Sequence, residues 1–198
     1  MRLSVMAPLL GLAVLAGGCD RQSAPPTQPA NDTAAAPTGE VAPTLPHGAN
    51  SVVDISYRGS PMPDVMFEAP DGSQTSLAAF KGKPVLVNLW ATWCGPCVAE
   101  MPTLDKVAVD RADTLQVIVI SQDLKGNEQV GPWWAQRDFK MLKPYLDPKN
   151  DMMFALKSET LPTTLLYDAQ GKEVWRSTGG MDWTGPRANT LLADITGG

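Results

Sequence analysis

The chain has 198 residues, 16 Lys and Arg against 21 Asp and Glu, a formal net charge of −5, one histidine and three cysteines. A mild negative balance with the basic residues scattered gives no basic face for a nucleic acid. An odd cysteine count leaves one sulfur outside any pair.

At the N-terminus, Arg2 precedes an apolar segment from Leu3 to Ala16, too short to span a bilayer comfortably but of the length of an export-signal core. It ends in Leu15-Ala16-Gly17-Gly18-Cys19, which resembles a bacterial lipoprotein box, departing from it at Ala16 where that pattern more often has Leu. The resemblance implies a signal peptide over residues 1–18 and Cys19 as the lipid-bearing new N-terminus. Ordinary cleavage leaving a free thiol, or an uncleaved anchor, are the alternatives. Asp20 directly after the cysteine implies, on the same resemblance, retention at the inner membrane.

From Arg21 to about Ser56 the chain is rich in Pro, Ala, Thr, Gln and Gly and has no aromatic residue. Such a segment buries too little apolar surface to offset its ordering entropy, so residues 19–56 are expected to form a disordered linker. The only histidine, His47, falls in it and is read as inert. Val52-Val53-Asp54-Ile55 is ambiguous between linker and an edge strand docked on the domain.

Residues 57–198 are enough for one compact domain with one core. Met62 to Glu68 has the composition of a short strand; Asp71-Gly72-Ser73 is a turn signal leading to a second short strand at Gln74-Thr75. Ser76 is placed to cap a short helix over Leu77 to Phe80, which Gly82 terminates. Pro84 to Trp90 is apolar at nearly every position, as a strand buried on both faces of a sheet must be.

Cys94-Gly95-Pro96-Cys97 follows directly, and the apolar positions 98, 101, 104 and 107 or 108 then recur at helical spacing. A helix therefore starts at about Cys94, with Pro96 tolerated in its first turn and a kink expected at Pro102. A sulfur at a helix N-terminus faces unpaired N–H groups and the positive end of the dipole, which favours thiolate. That makes Cys94 the candidate nucleophile and Cys97, on the same face but deeper, the resolving thiol. Two other readings compete. Half of a zinc site would need Cys19, His47 or carboxylates to complete it. A structural disulfide would close so small a loop that it would restrain the unfolded chain little.

Leu115 to Ser121 is a second β-branched run, parallel to the first by strand, helix, strand logic. Asn127 to Phe139 is a helix interrupted early by Gly131-Pro132, with Trp133 and Trp134 either covering the sheet or forming a partner surface. Asp151 to Lys157 is a short helix leading into a strand from Leu161 to Asp168. Asp168-Ala169-Gln170-Gly171 is a hairpin turn before a returning strand from Lys172 to Ser177. Thr184 is placed to cap a final helix with Pro186 in its first turn, running through Leu191, Leu192 and Ile195.

Trp93-Cys94-Gly95-Pro96-Cys97 resembles the active-site motif of the thioredoxin superfamily, and the string from Leu77 to Trp93 resembles its membrane-tethered extracytoplasmic branch, the TlpA, ResA and CcmG type of thiol-disulfide oxidoreductases. The resemblance covers about residues 60 to 196. It implies a thioredoxin-like α/β fold, a central mixed sheet with helices on both faces and an N-terminal extension of the TlpA or peroxiredoxin-like type. It also implies a cis peptide before Pro162 beside the cysteines, so that the backbone of Leu161 can pair with an extended substrate segment. With Trp93, Gly95 and Pro96, these residues would form the substrate-binding surface.

Glu100 lies one turn after Cys97 and resembles the acidic residue of ResA-like proteins. It would accept the Cys97 proton directly or through water, the alternative being an ordinary exposed helix glutamate. The uncharged Gly95-Pro96 pair points to a reductant, with a potential of roughly −200 to −280 mV. No cofactor beyond the Cys94–Cys97 disulfide is implied. The implied partners are a protein disulfide, of apocytochrome c or of a copper-site protein, and a membrane thiol carrier of the DsbD or CcdA type as electron source; the protein is expected to be a monomer. A peroxiredoxin-like peroxidase and a copper-binding assembly factor are the rival functions.

Overall fold

The computed structural model describes residues 51–193 of the chain. The signal segment, Cys19 and His47 lie outside those residues, as does Ile195.

The fold is built on strand β4 (Val85–Trp90), in which every residue is buried. Its pleat sends Leu86 and Trp90 into one core and Val85, Val87 and Leu89 into the other, which is why the run is apolar throughout rather than alternating. On one side β4 pairs in parallel with β5 (Gln116–Ser121), and on the other it pairs antiparallel with β7 (Thr163–Tyr167). The remaining strands are β1 (Val52–Asp54), β2 (Met66–Glu68), β3 (Gln74–Ser76), β6 (Pro144–Leu146) and β8 (Glu173–Thr178). Together they form one mixed sheet in the order β1-β8-β7-β4-β5-β6-β2-β3.

Four helices cover this sheet: α1 (Gly95–Asp110), α2 (Asn127–Trp134), α3 (Asp151–Leu156) and α4 (Pro186–Ala193). Met101 and Leu104 of α1, Val130 of α2, and Ala188 and Leu192 of α4 pack on the face carrying Leu86 and Trp90. Met152 and Leu156 of α3, with Leu77 from the short 3-10 turn Leu77–Phe80, fill the opposite face. The expected thioredoxin-like arrangement, with helices on both faces of a mixed sheet, is what forms.

Several local expectations need adjustment. Val52–Asp54 pairs antiparallel with β8 at the sheet edge, so the ordered strands begin ahead of residue 57 and the ambiguous stretch is a strand. β6 has no counterpart in the sequence reading: it is three residues long and opens with Pro144, which cannot donate to the ladder. Helix α2 stops at Trp134 rather than Phe139. Arg137 donates to the Trp133 carbonyl at 2.6 Å and lays its guanidinium 3.5 Å from the Trp133 ring centre, occupying a helix-end acceptor that a further turn would use. Trp133 and Trp134 pack on Trp90, with ring centres 4.8 and 5.9 Å away, and on Phe139, so they cover the sheet. Neither hydroxyl cap forms as expected. The Ser76 side chain makes no capping bond. Thr184 gives its N–H and hydroxyl to Asp182, while the Asn189 N–H reaches the Gly185 carbonyl, so α4 opens one residue later with Pro186 first. Helix α1 runs on through Pro102 to Asp110.

Asp105 ties α1 to the segment that leads into β6, its buried carboxylate accepting the N–H groups of Lys140, Met141 and Leu142 at 2.9, 2.9 and 3.0 Å. Burial pushes this carboxyl up, but the three N–H bonds and the Lys140 charge outweigh it and hold the pKa below the ordinary value. Asp105→Asn is therefore predicted to lower the unfolding free energy near neutral pH by about 1–3 kcal/mol. Because the folded pKa is the lower one, this contribution is present above the ordinary 3.8 and lost as pH falls through the folded value. Urea unfolding of parent and variant at neutral and acid pH should show the gap closing in acid; an equal gap at both would contradict the assignment.

Candidate active site

Strand β4 ends with Trp90 wholly buried, and the chain turns through Ala91, Thr92 and Trp93 into α1. The turn is pinned from the neighbouring parallel strand. Asp123, just past the end of β5 and itself buried, accepts the Thr92 N–H at 2.9 Å, the Thr92 hydroxyl at 2.7 Å and the Ser121 hydroxyl at 2.8 Å. Gln129 of α2 donates to the Thr92 hydroxyl oxygen at 2.9 Å. Sequence reasoning did not reach Asp123; the available signal was a carboxylate at the end of the strand beside the cysteine-bearing one, where α/β sheets collect functional groups.

Cys94 closes this turn, its N–H on the Ala91 carbonyl at 3.1 Å, and is the N-cap of α1 with extended backbone angles. Pro96 sits in the first helical turn, where no donor is needed. Cys94 and Cys97 are joined in a disulfide, and the Cys97 N–H points at the Cys94 sulfur at 3.3 Å. Cys94 retains 6% of its surface and Cys97 none, so an attacking thiol can reach only the outer sulfur. A thiolate there would take over the N–H bond and face the positive helix end.

Around Cys94, Trp93, Gly95 and Pro96 are exposed. Trp93 leaves 68% of its surface in solvent, an unusual exposure for a tryptophan. Antiparallel pairing of β7 with β4 places Thr163 opposite Leu89, so Leu161 and Pro162 lie beside the turn that leads to Cys94. The Leu161–Pro162 peptide is cis, as the resemblance implies. Among the described residues no group of three or more His, Cys, Asp or Glu is placed to hold a metal ion.

Beneath the pair lies Glu100, wholly buried, which removes the alternative of an ordinary surface glutamate. One oxygen accepts from the Asn88 amide at 2.7 Å; the other accepts the Met181 N–H at 2.9 Å and the Trp183 indole N–H at 3.2 Å. Burial pushes its pKa up to about 8, with the three donors pulling the other way. A carboxyl that titrates near a thiol, one helical turn from Cys97, is chemically able to exchange a proton with it. Asn88, Met181 and Trp183 were not singled out in the sequence, although a lone amide within an otherwise apolar strand was a visible anomaly.

Comparison with known proteins agrees with this geometry. A model of the Redoxin family matches residues 58–192. The thioredoxin-like protein YneN of Bacillus subtilis is 34% identical over 115 residues, 57% of this chain and 66% of that one, just under two thirds of its length. The thiol-disulfide oxidoreductase ResA of the same organism is 28% identical over 125 residues, 62% of this chain and 68% of its own. Among solved structures, the exposed lipoprotein thioredoxin of Streptococcus pneumoniae aligns with a TM-score of 0.57 at 26% identity, over 68% of this chain and 98% of that one.

The raised pKa of Glu100 carries a stability consequence of fixed sign. A carboxyl whose folded pKa lies above its unfolded value contributes most below the unfolded value and loses that contribution as pH rises through the folded one, here between 4.5 and about 8. The oxidised protein should therefore lose several kcal/mol of unfolding free energy between about pH 5 and about pH 9. Glu100→Gln should flatten that slope. Urea unfolding at both pH values tests it, and parallel curves for parent and variant would contradict it.

Proposed function

The chain belongs to the Redoxin family and carries the paired cysteines of a thiol-disulfide oxidoreductase, and from that premise we propose that it is an extracytoplasmic disulfide reductase working by dithiol exchange through Cys94 and Cys97. The observation that carries the reading is the succession of four groups along one helix end: exposed Trp93, slightly exposed Cys94, buried Cys97, and buried Glu100 one turn further in. In the reduced protein the Cys94 thiolate attacks one sulfur of a partner disulfide, and the other partner sulfur leaves, taking a proton from water. Cys97 passes its proton to Glu100, directly or through water, and its thiolate attacks the Cys94 sulfur of the mixed disulfide. The second partner sulfur leaves as thiolate, and the two electrons of the Cys94–Cys97 dithiol have passed to the partner.

Burial disfavours a Cys97 thiolate, so the step needs an acceptor of matched pKa, and the elevated carboxyl of Glu100 supplies it. Gly95 and Pro96 bring no charge to the outer sulfur beyond the helix end, which favours a reducing over a strongly oxidising pair, at roughly −200 to −280 mV. Leu161 beside the cis Pro162 offers backbone to an extended substrate segment, flanked by Trp93.

The wider setting rests on the N-terminal sequence and the family resemblance. Residues 1–18 act as the signal, Cys19 takes the lipid, and the linker lets a monomeric domain work on the periplasmic side of the inner membrane. A thiol carrier of the DsbD or CcdA type re-reduces it, and apocytochrome c or a copper-site protein is the target class.

Cys97→Ser is predicted to accumulate a mixed disulfide with the substrate protein through Cys94, isolable under non-reducing conditions and identifiable by mass; no trapped species, with Cys94→Ser behaving identically, would refute dithiol exchange. Trp93→Ala should leave stability within about 0.5 kcal/mol while weakening that capture. Glu100→Gln should slow turnover about tenfold to a hundredfold, most strongly where Glu100 is ionised in the parent.

A further inference from the structure

The polar cluster under the disulfide contains one unbalanced group. Asn88, in the middle of β4 and wholly buried, uses its Nδ2 twice, donating to Glu100 at 2.7 Å and to the Thr164 hydroxyl oxygen at 2.9 Å. Its Oδ1 is buried with no hydrogen-bond partner. An unpaired buried acceptor costs about 1–3 kcal/mol, and nothing in the packing of a strand requires an amide here at all.

The cost acquires a reason when both protonation states of Glu100 are considered. As a carboxylate Glu100 only accepts, and all three of its partners donate: Asn88 to Oε1, and the Met181 N–H and the Trp183 indole to Oε2. When the proton arrives, Oε2 already holds two donors, so the new hydrogen belongs on Oε1, where it meets the Asn88 NH2, donor against donor. A backbone N–H and an indole N–H cannot become acceptors. An amide can, by half a turn about its last side-chain bond, and the hydroxyl of Thr164 can donate as well as accept. Thr164 stands directly opposite Asn88 in the β4–β7 ladder, so it stays in place for either orientation.

We infer that Asn88 is a positioning residue for Glu100 whose amide reverses with the proton: Nδ2 faces the carboxylate and Thr164 in one state, and Oδ1 accepts from the carboxylic acid and the Thr164 hydroxyl in the other. One end of the amide is unpaired in each orientation, its oxygen in one and its NH2 in the other, so each state carries a cost from the amide. That arrangement suits a carboxyl that must take up and give back a proton within each cycle, and the inference rests on the reading of Glu100 as acceptor of the Cys97 proton. The balance is simple: one proton moves from the Cys97 sulfur to Glu100 Oε1, no electron moves in that step, and the amide changes only its orientation. The groups bonded to Glu100, from β4 and from the loop before α4, are an amide, a backbone N–H and an indole, none of which bears a charge, and no neighbouring charge shifts its titration. The amide is therefore the part of the shell able to follow the proton.

The experiment is NMR of the full-length oxidised protein across the Glu100 titration, following nuclear Overhauser contacts from the Asn88 side-chain NH2 to the Thr164 methyl and the Glu100 methylenes, with Glu100→Gln as the uncharged mimic. The contacts should be present when Glu100 is ionised, be lost with the same midpoint as the carboxyl carbon shift on protonation, and be absent at every pH in Glu100→Gln. Contacts that persist throughout, in parent and variant alike, overturn the reversal. If they persist while Glu100→Gln still slows turnover, the proton role of Glu100 survives without the amide switch. If they reverse while Glu100→Gln turns over normally, the switch is supported and Glu100 leaves the mechanism.

Discussion

One carboxyl holds three parts of this molecule together. Glu100 belongs to α1, but its bonds go to β4 through Asn88 and to the loop before α4 through Met181 and Trp183. Each bond crosses between elements, so the helix that carries the cysteines cannot slide on the sheet without breaking them. Burial makes the charged form costly, and the three donors reduce that cost without removing it. The result is a carboxyl held both structurally and close to proton exchange.

The rest of the site follows from where β4 ends. A strand buried on both faces must leave the sheet before it can present anything to solvent, and it does so in the turn from Ala91 to Trp93. Asp123 fixes that turn from the end of β5, so the start of α1 is set by two parallel strands rather than by one loop. The cis Pro162 approaches from the antiparallel side. Two cysteines, a bare aromatic ring and an open backbone segment meet at one end of the central strands. The neighbouring residues supply rigidity, and the helix end supplies the electrostatic bias.

The parts legible in the sequence were those encoded by local pattern. The unbroken apolar run of β4, the β-branched run of β5, the spacing of Cys94, Cys97 and Glu100, and the hairpin at Gly171 each needed only a short window. What stayed hidden depends on partners far along the chain. Asp123 looked like one more polar residue after a strand until Thr92 was set beside it. Glu173 and Arg176 are three apart in a strand, a spacing that puts side chains on opposite faces. Yet they form a buried two-pronged ion pair at 2.7 Å, because a register shift opposite Leu166 and Tyr167 reverses the pleat. The caps assigned to Ser76 and Thr184 failed because nearby Asp182 competed for one, and the other heads a 3-10 turn rather than an α-helix.

The central claim is that the two sulfurs at the head of α1 differ in acidity because one faces the helix end and the other is buried above a carboxyl. The most direct measurement is the thiolate absorbance of the reduced full chain as a function of pH, with each sulfur assigned by Cys94→Ser and Cys97→Ser. Two separated steps are predicted, Cys94 ionising below the ordinary thiol value of about 8.5 and Cys97 above it. A single step for both sulfurs near that ordinary value would contradict the claim.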